Sequence, residues 1–265
     1  MSERVSIIIS NYNYGHYLAE SIESALAQTY TDVEVIYIDD GSTDNSLEVA
    51  SRYPITVLKQ VNQGVSAARN NAVQFATGQY LLFLDADDIL LPDAIARMHA
   101  QLVSAGSGVG YVYGQMEYFG VKTGLFESKE FSPKALAKGN FICVTSLIKK
   151  SVFDQAGGFD KGFANREDWE LFIRFLHHGY QGRLLPEPIM RCRKHRPPAP
   201  KTKKPFINTG KNLVTSMLVF KYPRFFLRKL LSNPFKYAYY ILAYHVAKNV
   251  HRYGPNRELT PVQVK

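Results

Sequence analysis

Apolar and polar positions alternate in two registers along the first hundred residues. Short apolar runs recur at Val5–Ile9, Val33–Ile38, Ile55–Lys59 and Gln79–Leu84. Bounded by polar turns, such runs read as strands buried on both faces. Between them the apolar residues fall at helical spacing. Leu18, Ile22, Ala25 and Leu26 share one face of a first helix, and residues 46–53 predict a weaker second one. Val65, Ala68, Ala72 and Phe75/Ala76 mark a third helix. Ile95, Met98 and Leu102 mark a fourth, with Pro92 near its first turn. Strands alternating with helices predict crossover units and a mostly parallel, Rossmann-like α/β sheet covered by helices on both faces.

The pattern changes after Gly108. Residues 109–120 and 141–150 read as strands without crossover helices, and 183–193 as a further extended piece. In 166–179, Trp169, Phe172, Ile173 and Leu176 share a helical face that Gly179 ends. Residues 197–205 (PPAPKTKKP) cannot sustain a helix and read as a loop. The expected organisation is a body over 1–196, divided at 108/109, then a basic Pro-rich loop over 197–211 and a helical segment over 212–265. No internal repeat is visible.

Charge sharpens that division. From Arg191 to Lys265 there are 17 Lys/Arg and one acid, whereas residues 1–190 carry 15 basic and 22 acidic side chains. An acidic body with a basic, aromatic tail points to an anionic surface. The longest apolar run in the tail is 11 residues, short of the ~18–20 that span a bilayer. The tail is therefore expected to lie in a membrane interface, ahead of packing on the body and well ahead of nucleic acid. No basic start followed by an apolar run marks a leader, and the expected location is cytoplasmic, peripheral at the inner face of the cell membrane. Cys143 and Cys192 lack metal or redox spacing and read as free thiols.

In open parallel α/β sheets, ligands bind beyond the carboxyl ends of the strands. Four polar stretches fall there: Ser10–Asn13, Asp39–Ser46, Asn62–Asn70 and Asp85–Asp88. Taken singly each has an ordinary structural reading. The Asp-Gly-Ser stretch is a common turn, and Asp88 or Asp93 could cap the helix near Pro92. Together they argue for a site holding a divalent cation, Mn²⁺ or Mg²⁺, and a phosphate-bearing ligand. The chain has neither Gly-x-x-x-x-Gly-Lys-Ser/Thr nor Gly-x-Gly-x-x-Gly, which argues against an ATPase or a dinucleotide dehydrogenase.

The stretches VSIIISNYN, IDDGSTDNS, NQGVSAARN and FLDADD, at these spacings, resemble the nucleotide-sugar-binding half of glycosyltransferase family 2, the GT-A fold with its DxD metal motif. The resemblance covers about residues 4–195. It implies that Ser10 and Tyr12 border the nucleoside, with Tyr12 against the base. Asp40 accepts from the base, most simply the uracil N3–H, and Asp39 supports the turn. Gly64 lets the backbone pass close to the nucleotide, and Arg69 is a contact or a partner behind one. Asp85, with Ala86, approaches the ribose, Asp87 ligates the cation, and Asp88 orients the pocket floor or caps the helix. Many members have Pro-Thr where this chain has Ser10-Asn11, which leaves the nucleoside open.

An inverting transfer also needs one general base for the acceptor hydroxyl. The family draws it from the Asp of a Glu-Asp pair following a Gly-Gly-Phe-Asp turn, here Gly157–Asp160. That implies Asp168 as base and Glu167 as its neighbour in the acceptor pocket. Read alone, acids in a first helical turn simply offset the helix dipole. Trp169 reads as core. His195 stands where the family often has a His near the metal or diphosphate, amid Arg191, Arg193, Lys194 and Arg196; the alternative is a basic surface loop. The Gln-x-x-Arg-Trp motif of processive synthases is absent, so single-sugar addition is the simpler expectation. The expected reaction is thus metal-dependent transfer from a nucleotide sugar, with UDP the first expectation, to a glycan or lipid-linked glycan in surface polysaccharide synthesis. The competing readings are a nucleotidyltransferase, whose phosphate loop is missing after strand one, and a binding module with a nucleic-acid-gripping tail.

Overall fold

A computed structural model of the chain describes residues 3–163, 166–195, 218, 221–223 and 260–261. The crossover half runs β1 (Val5–Asn11), α1 (Gly15–Leu26), β2 (Val33–Asp39), α2 (Ser46–Ala50), β3 (Thr56–Lys59), α3 (Val65–Val73) and β4 (Tyr80–Asp85). Then come β5 (Ile89–Leu90), α4 (Ala94–Val103), β6 (Val109–Gly120), β7 (Gly124–Phe126), α5 (Pro133–Lys138) and β8 (Leu147–Lys149). The described elements close with α6 (Lys150–Ala156), α7 (Glu167–His177), β9 (Gln181–Lys194) and β10 (Thr260–Pro261).

The strands form one sheet in the order β10-β3-β2-β1-β4-β8-β6-β9-β5, with β7 on β6. β3, β2, β1 and β4 are mutually parallel, as the alternation predicts. Every residue of β1 is buried, because helices cover both faces of this central strand. Its register sets up the site: Ser10 pairs with Asp85 of β4, and Asn11 with Asp39 of β2. The polar ends of three strands therefore meet at one edge of a core built from Ile7, Ile9, Leu82, Leu84 and their neighbours.

Beyond β4 the sheet is mixed. β8 joins β4 and β6 antiparallel, β6 and β9 are parallel with register shifts, and β5 returns antiparallel to β9. The chain divides into two compact units. One comprises residues 1–131, 141–196 and 257–265, and the other 132–140 and 197–256. In the second unit α5 is N-capped by Ser132, whose Oγ accepts from the Ala135 amide, with Pro133 opening the helix.

Several sequence expectations shift. Leu26 is 43% exposed and not inward, because α1 ends there and its face has turned away. Phe75 and Ala76 lie past the end of α3. Only Leu147–Lys149 of the run 141–150 is strand. Neither Asp88 nor Asp93 caps α4: Asp93 occupies the N-cap position without a side-chain cap bond and pairs with Arg97 at 2.9 Å. The segment 212–265 is not helical throughout, since Thr260–Pro261 pairs antiparallel with β3. Most of that segment, and the loop 197–211, lie outside the described residues. Among the described residues both cysteines are free, and no helix is long and apolar enough to cross a membrane.

Candidate active site

A cavity of about 350 Å³ opens at the carboxyl edge of β1, β2 and β4. Of the residues singled out from sequence, Ser10, Tyr12, Asp40, Asp85, Ala86 and Asp87 line it. Asn11, Tyr14, Val65 and Ala68 complete the wall. The volume suits a nucleotide-sized ligand.

One end of the cavity is built by the loop after β2. Asp39 is fully buried: Oδ1 accepts from the Gly41 and Ser42 amides, and Oδ2 from the Tyr37 hydroxyl. It shapes the turn and does not reach the cavity wall. Gly41 holds φ +80°, and a Cβ there would meet the Asn62 amide nitrogen at 2.8 Å, so only glycine fits. Asp40 faces the cavity. Its Oδ1 accepts from Gln60 Nε2 at 2.7 Å and the Gln63 amide at 2.8 Å, and its Oδ2 from the Gly64 amide at 2.9 Å. One lone-pair site remains, on Oδ2. Burial pushes this carboxyl up, against the pull of those three donors. Gly64 sits behind it at φ +86°, with open space where a Cβ would stand. Tyr12 is 47% exposed at the rim, leaving a ring face available for stacking.

The other end collects the carboxylates after β4. Asp85 Oδ1 takes Arg69 Nη2 at 2.6 Å. Asp87 Oδ2 lies 2.6 Å from His195 Nε2. Asp88 turns inward and accepts the Arg193 amide at 2.8 Å, bracing β9. Burial, with Asp85 and Asp87 close by, pushes the Asp88 carboxyl up to about 8. Three carboxylates thus crowd at one turn, an oxygen-rich setting of the kind that suits a divalent cation. Asp87 lines the cavity and His195 stands against its carboxylate, so that a carboxylate and an imidazole lie side by side. Among the described residues no group of three or more His, Cys, Asp or Glu could hold a metal unaided.

Arg69 ties this end to α7. It is 2% exposed, and its second nitrogen, Nη1, donates to Glu167 at 2.9 Å. It therefore stands behind Asp85 and away from the cavity. Asn70 adds a two-point clamp: its Nδ2 donates to the Phe159 carbonyl and its Oδ1 accepts the Phe159 amide, both at 2.8 Å. The third and last motifs are thus joined through adjacent residues. Asp168 lies half-buried in the first turn of α7, its Oδ1 accepting the Trp169 amide at 2.7 Å. Burial and neighbouring Glu167 push its carboxyl up to about 6, while the Trp169 amide and Arg69 pull it down. A carboxylate poised there is ionised at neutral pH yet basic enough to take a proton. Trp169 is core, 1% exposed.

Tyr14, Tyr17 and Asn70 are neighbours of the site to which the sequence pattern gave no role, while Arg193, expected among basic residues that could neutralise phosphate, is not on the cavity wall. The aromatic run Tyr12–Tyr17 was a visible signal: Tyr14 and Tyr17 rings lie 5.8 and 5.2 Å from that of His195.

The family model for glycosyl transferase family 2 matches residues 6–160, more than half of the chain. The chain belongs to glycosyl transferase family 2. Its fold is the GT-A fold. A mannosyltransferase from Pyrobaculum calidifontis, solved in complex with GDP-Man and Mn²⁺, superposes with a TM-score of 0.61 at 20% identity, covering 94% of this chain and 76% of that one. Among curated relatives, the chondroitin synthase of Pasteurella multocida is 44% identical over 184 residues, 66% of this chain and 19% of that protein. The Escherichia coli UDP-Glc:alpha-D-GlcNAc-diphosphoundecaprenol beta-1,3-glucosyltransferase WfgD is 26% identical over 182 residues, 65% of this chain and 69% of that protein. The chain spans 31%, 73%, 52% and 28% of four further relatives, so whole-protein activities do not transfer directly.

Proposed function

We propose that this protein transfers a sugar, with inversion, from a UDP-sugar to a hydroxyl of a glycan or lipid-linked glycan. The observation that carries this is the single cavity joining Asp40 at one end to Asp85 and Asp87 at the other. The base stacks on Tyr12, and the ribose meets Asp85, with Ser10 and Ala86 alongside. Ser10 lines the cavity, which supports a ligand contact there.

Asp40 supports the nucleoside assignment. With one lone-pair site left it can accept one more hydrogen bond, matching the lone N3–H of uracil. Guanine presents two adjacent donors, N1–H and N2–H, and would leave one unmatched.

Asp87 and His195 would hold an Mn²⁺ or Mg²⁺ ion, which when bound offsets charge developing on the leaving diphosphate. Asp168 accepts the proton of the acceptor hydroxyl as that oxygen attacks the anomeric carbon. The bond from that carbon to the diphosphate oxygen breaks, and its electron pair leaves with the diphosphate. Attack from the opposite face inverts the configuration. Glu167, held by Arg69, fixes the start of the base helix.

The lipid-linked acceptor is supported by the name of WfgD, and a polysaccharide product by that of chondroitin synthase. The basic stretch from Arg191 onward would bring an acidic domain to an anionic bilayer. Screening nucleotide sugars for thermal stabilisation with Mn²⁺ tests the donor. A UDP-sugar should stand out, and stabilisation by none of them would remove the reading.

A further inference from the structure

The end of β9 grips the Asp87–Asp88 turn at three points. The Arg193 amide donates to Asp88 Oδ1 at 2.8 Å, Arg193 Nε donates to the Asp87 carbonyl at 3.0 Å, and His195 Nε2 stands 2.6 Å from Asp87 Oδ2. The Arg193 side chain is 14% exposed and is not part of the cavity wall. Its guanidinium lies 4.3 Å from the ring centroid of Tyr17 and 4.3 Å from that of Phe119. Nη2 lies 3.0 Å from Glu20 Oε2, an ion pair too poorly aligned to be a hydrogen bond.

These partners come from separate places. Tyr17 and Glu20 belong to α1, Phe119 to β6, and Asp87 to the turn after β4. Only a planar cation can meet two rings while donating from its edge to a carbonyl. A lysine would keep the charge and lose the fixed N–H direction. Fixing the Asp87 carbonyl fixes the peptide plane next to its Cα, and so limits where its carboxylate can point.

We infer that Arg193 is the positioning residue of the cation arm: seated between Tyr17 and Phe119, it holds the Asp87 main chain and thereby aims the Asp87 carboxylate. This rests on the cation role proposed for Asp87. Partners behind a metal ligand typically change metal affinity 10–100-fold when altered. A residue that only stitched α1 to β6 would change melting temperature and leave Mn²⁺ uptake by the folded protein unchanged.

The test titrates Mn²⁺ into the full chain in the presence of UDP, by calorimetry and by the Mn²⁺ electron-spin signal, for wild type, Arg193→Lys and Phe119→Leu. Arg193→Lys should weaken Mn²⁺ uptake at least ~10-fold, with turnover recovering at saturating Mn²⁺. Phe119→Leu, which keeps the arginine but removes one ring, should weaken uptake by a smaller factor and decides the matter if Arg193→Lys does not fold. Wild-type Mn²⁺ affinity in the folded variants would overturn the inference alone. A wild type that takes up no Mn²⁺ with UDP would overturn the cation role and the inference together.

Discussion

Asp168 carries a cost that its neutral isostere should remove. Its carboxyl is pushed from 3.8 to about 6, first by burial and then by Glu167. A shift of about two units corresponds to about 3 kcal/mol, at 1.36 kcal/mol per unit. The sign follows from proton counting. The folded state holds the Asp168 proton more tightly than the unfolded state, so stability falls as pH rises from 3.8 through about 6. At pH 7.5 the penalty is fully present, and below pH 3.8 it is gone. Asn can keep the oxygen that accepts the Trp169 amide. Asp168→Asn should therefore stabilise the protein at pH 7.5 by roughly 1–3 kcal/mol, a rise of about 2–5 °C in melting temperature for a chain of this size. Transfer should meanwhile fall ~10²-fold or more. Melting curves of both proteins at pH 7.5, 5 and 3.5 check the stability claim. A variant less stable than wild type at pH 7.5, or a gain unchanged at pH 3.5, would refute the burial account.

Further outcomes are expected elsewhere in the site. Arg69→Met leaves Asp85 and the mostly buried Glu167 without their cation and should destabilise the fold by about 3–5 kcal/mol, measured by denaturant unfolding. Gly41→Ala should cost at least ~1–2 kcal/mol, since its Cβ meets the Asn62 amide nitrogen, and Gly64→Ala about 1–3 kcal/mol from its backbone conformation alone, φ +86° with ψ +159° being a region reserved for glycine. A Gly41→Ala protein that melts with the wild type would mean that the tight loop after β2 does not demand glycine there. The kcat profile should show an acid limb near the Asp168 value of about 6, with activity rising as that carboxylate ionises, and a flat profile from pH 5 to 7 would exclude it as base.

The crossover half was legible because its strands are short apolar runs closed by polar turns, and period alone locates them. Their carboxyl ends were legible too, and a cavity there is lined by Ser10, Tyr12, Asp40, Asp85, Ala86 and Asp87. What escaped were features set by partners distant in sequence. Asp39 and Asp40 are neighbours of one residue type, yet one is locked in a turn and the other faces the cavity, because β2 ends between them. Two-residue strands such as β5 and β10 have no period to read. Arg193 looked like one more charge in a basic run. Its clasp exists only once β9 lies beside β6 and α1.

One cavity is proposed to hold a uridine diphosphate through Asp40 and, with a divalent cation, through Asp87. Titrating UDP and GDP into wild type and Asp87→Ala, each with Mn²⁺ or with EDTA, tests it most directly. Tight binding should require UDP, Mn²⁺ and Asp87 together. Equal binding of GDP, or UDP affinity indifferent to both EDTA and the loss of Asp87, would contradict it.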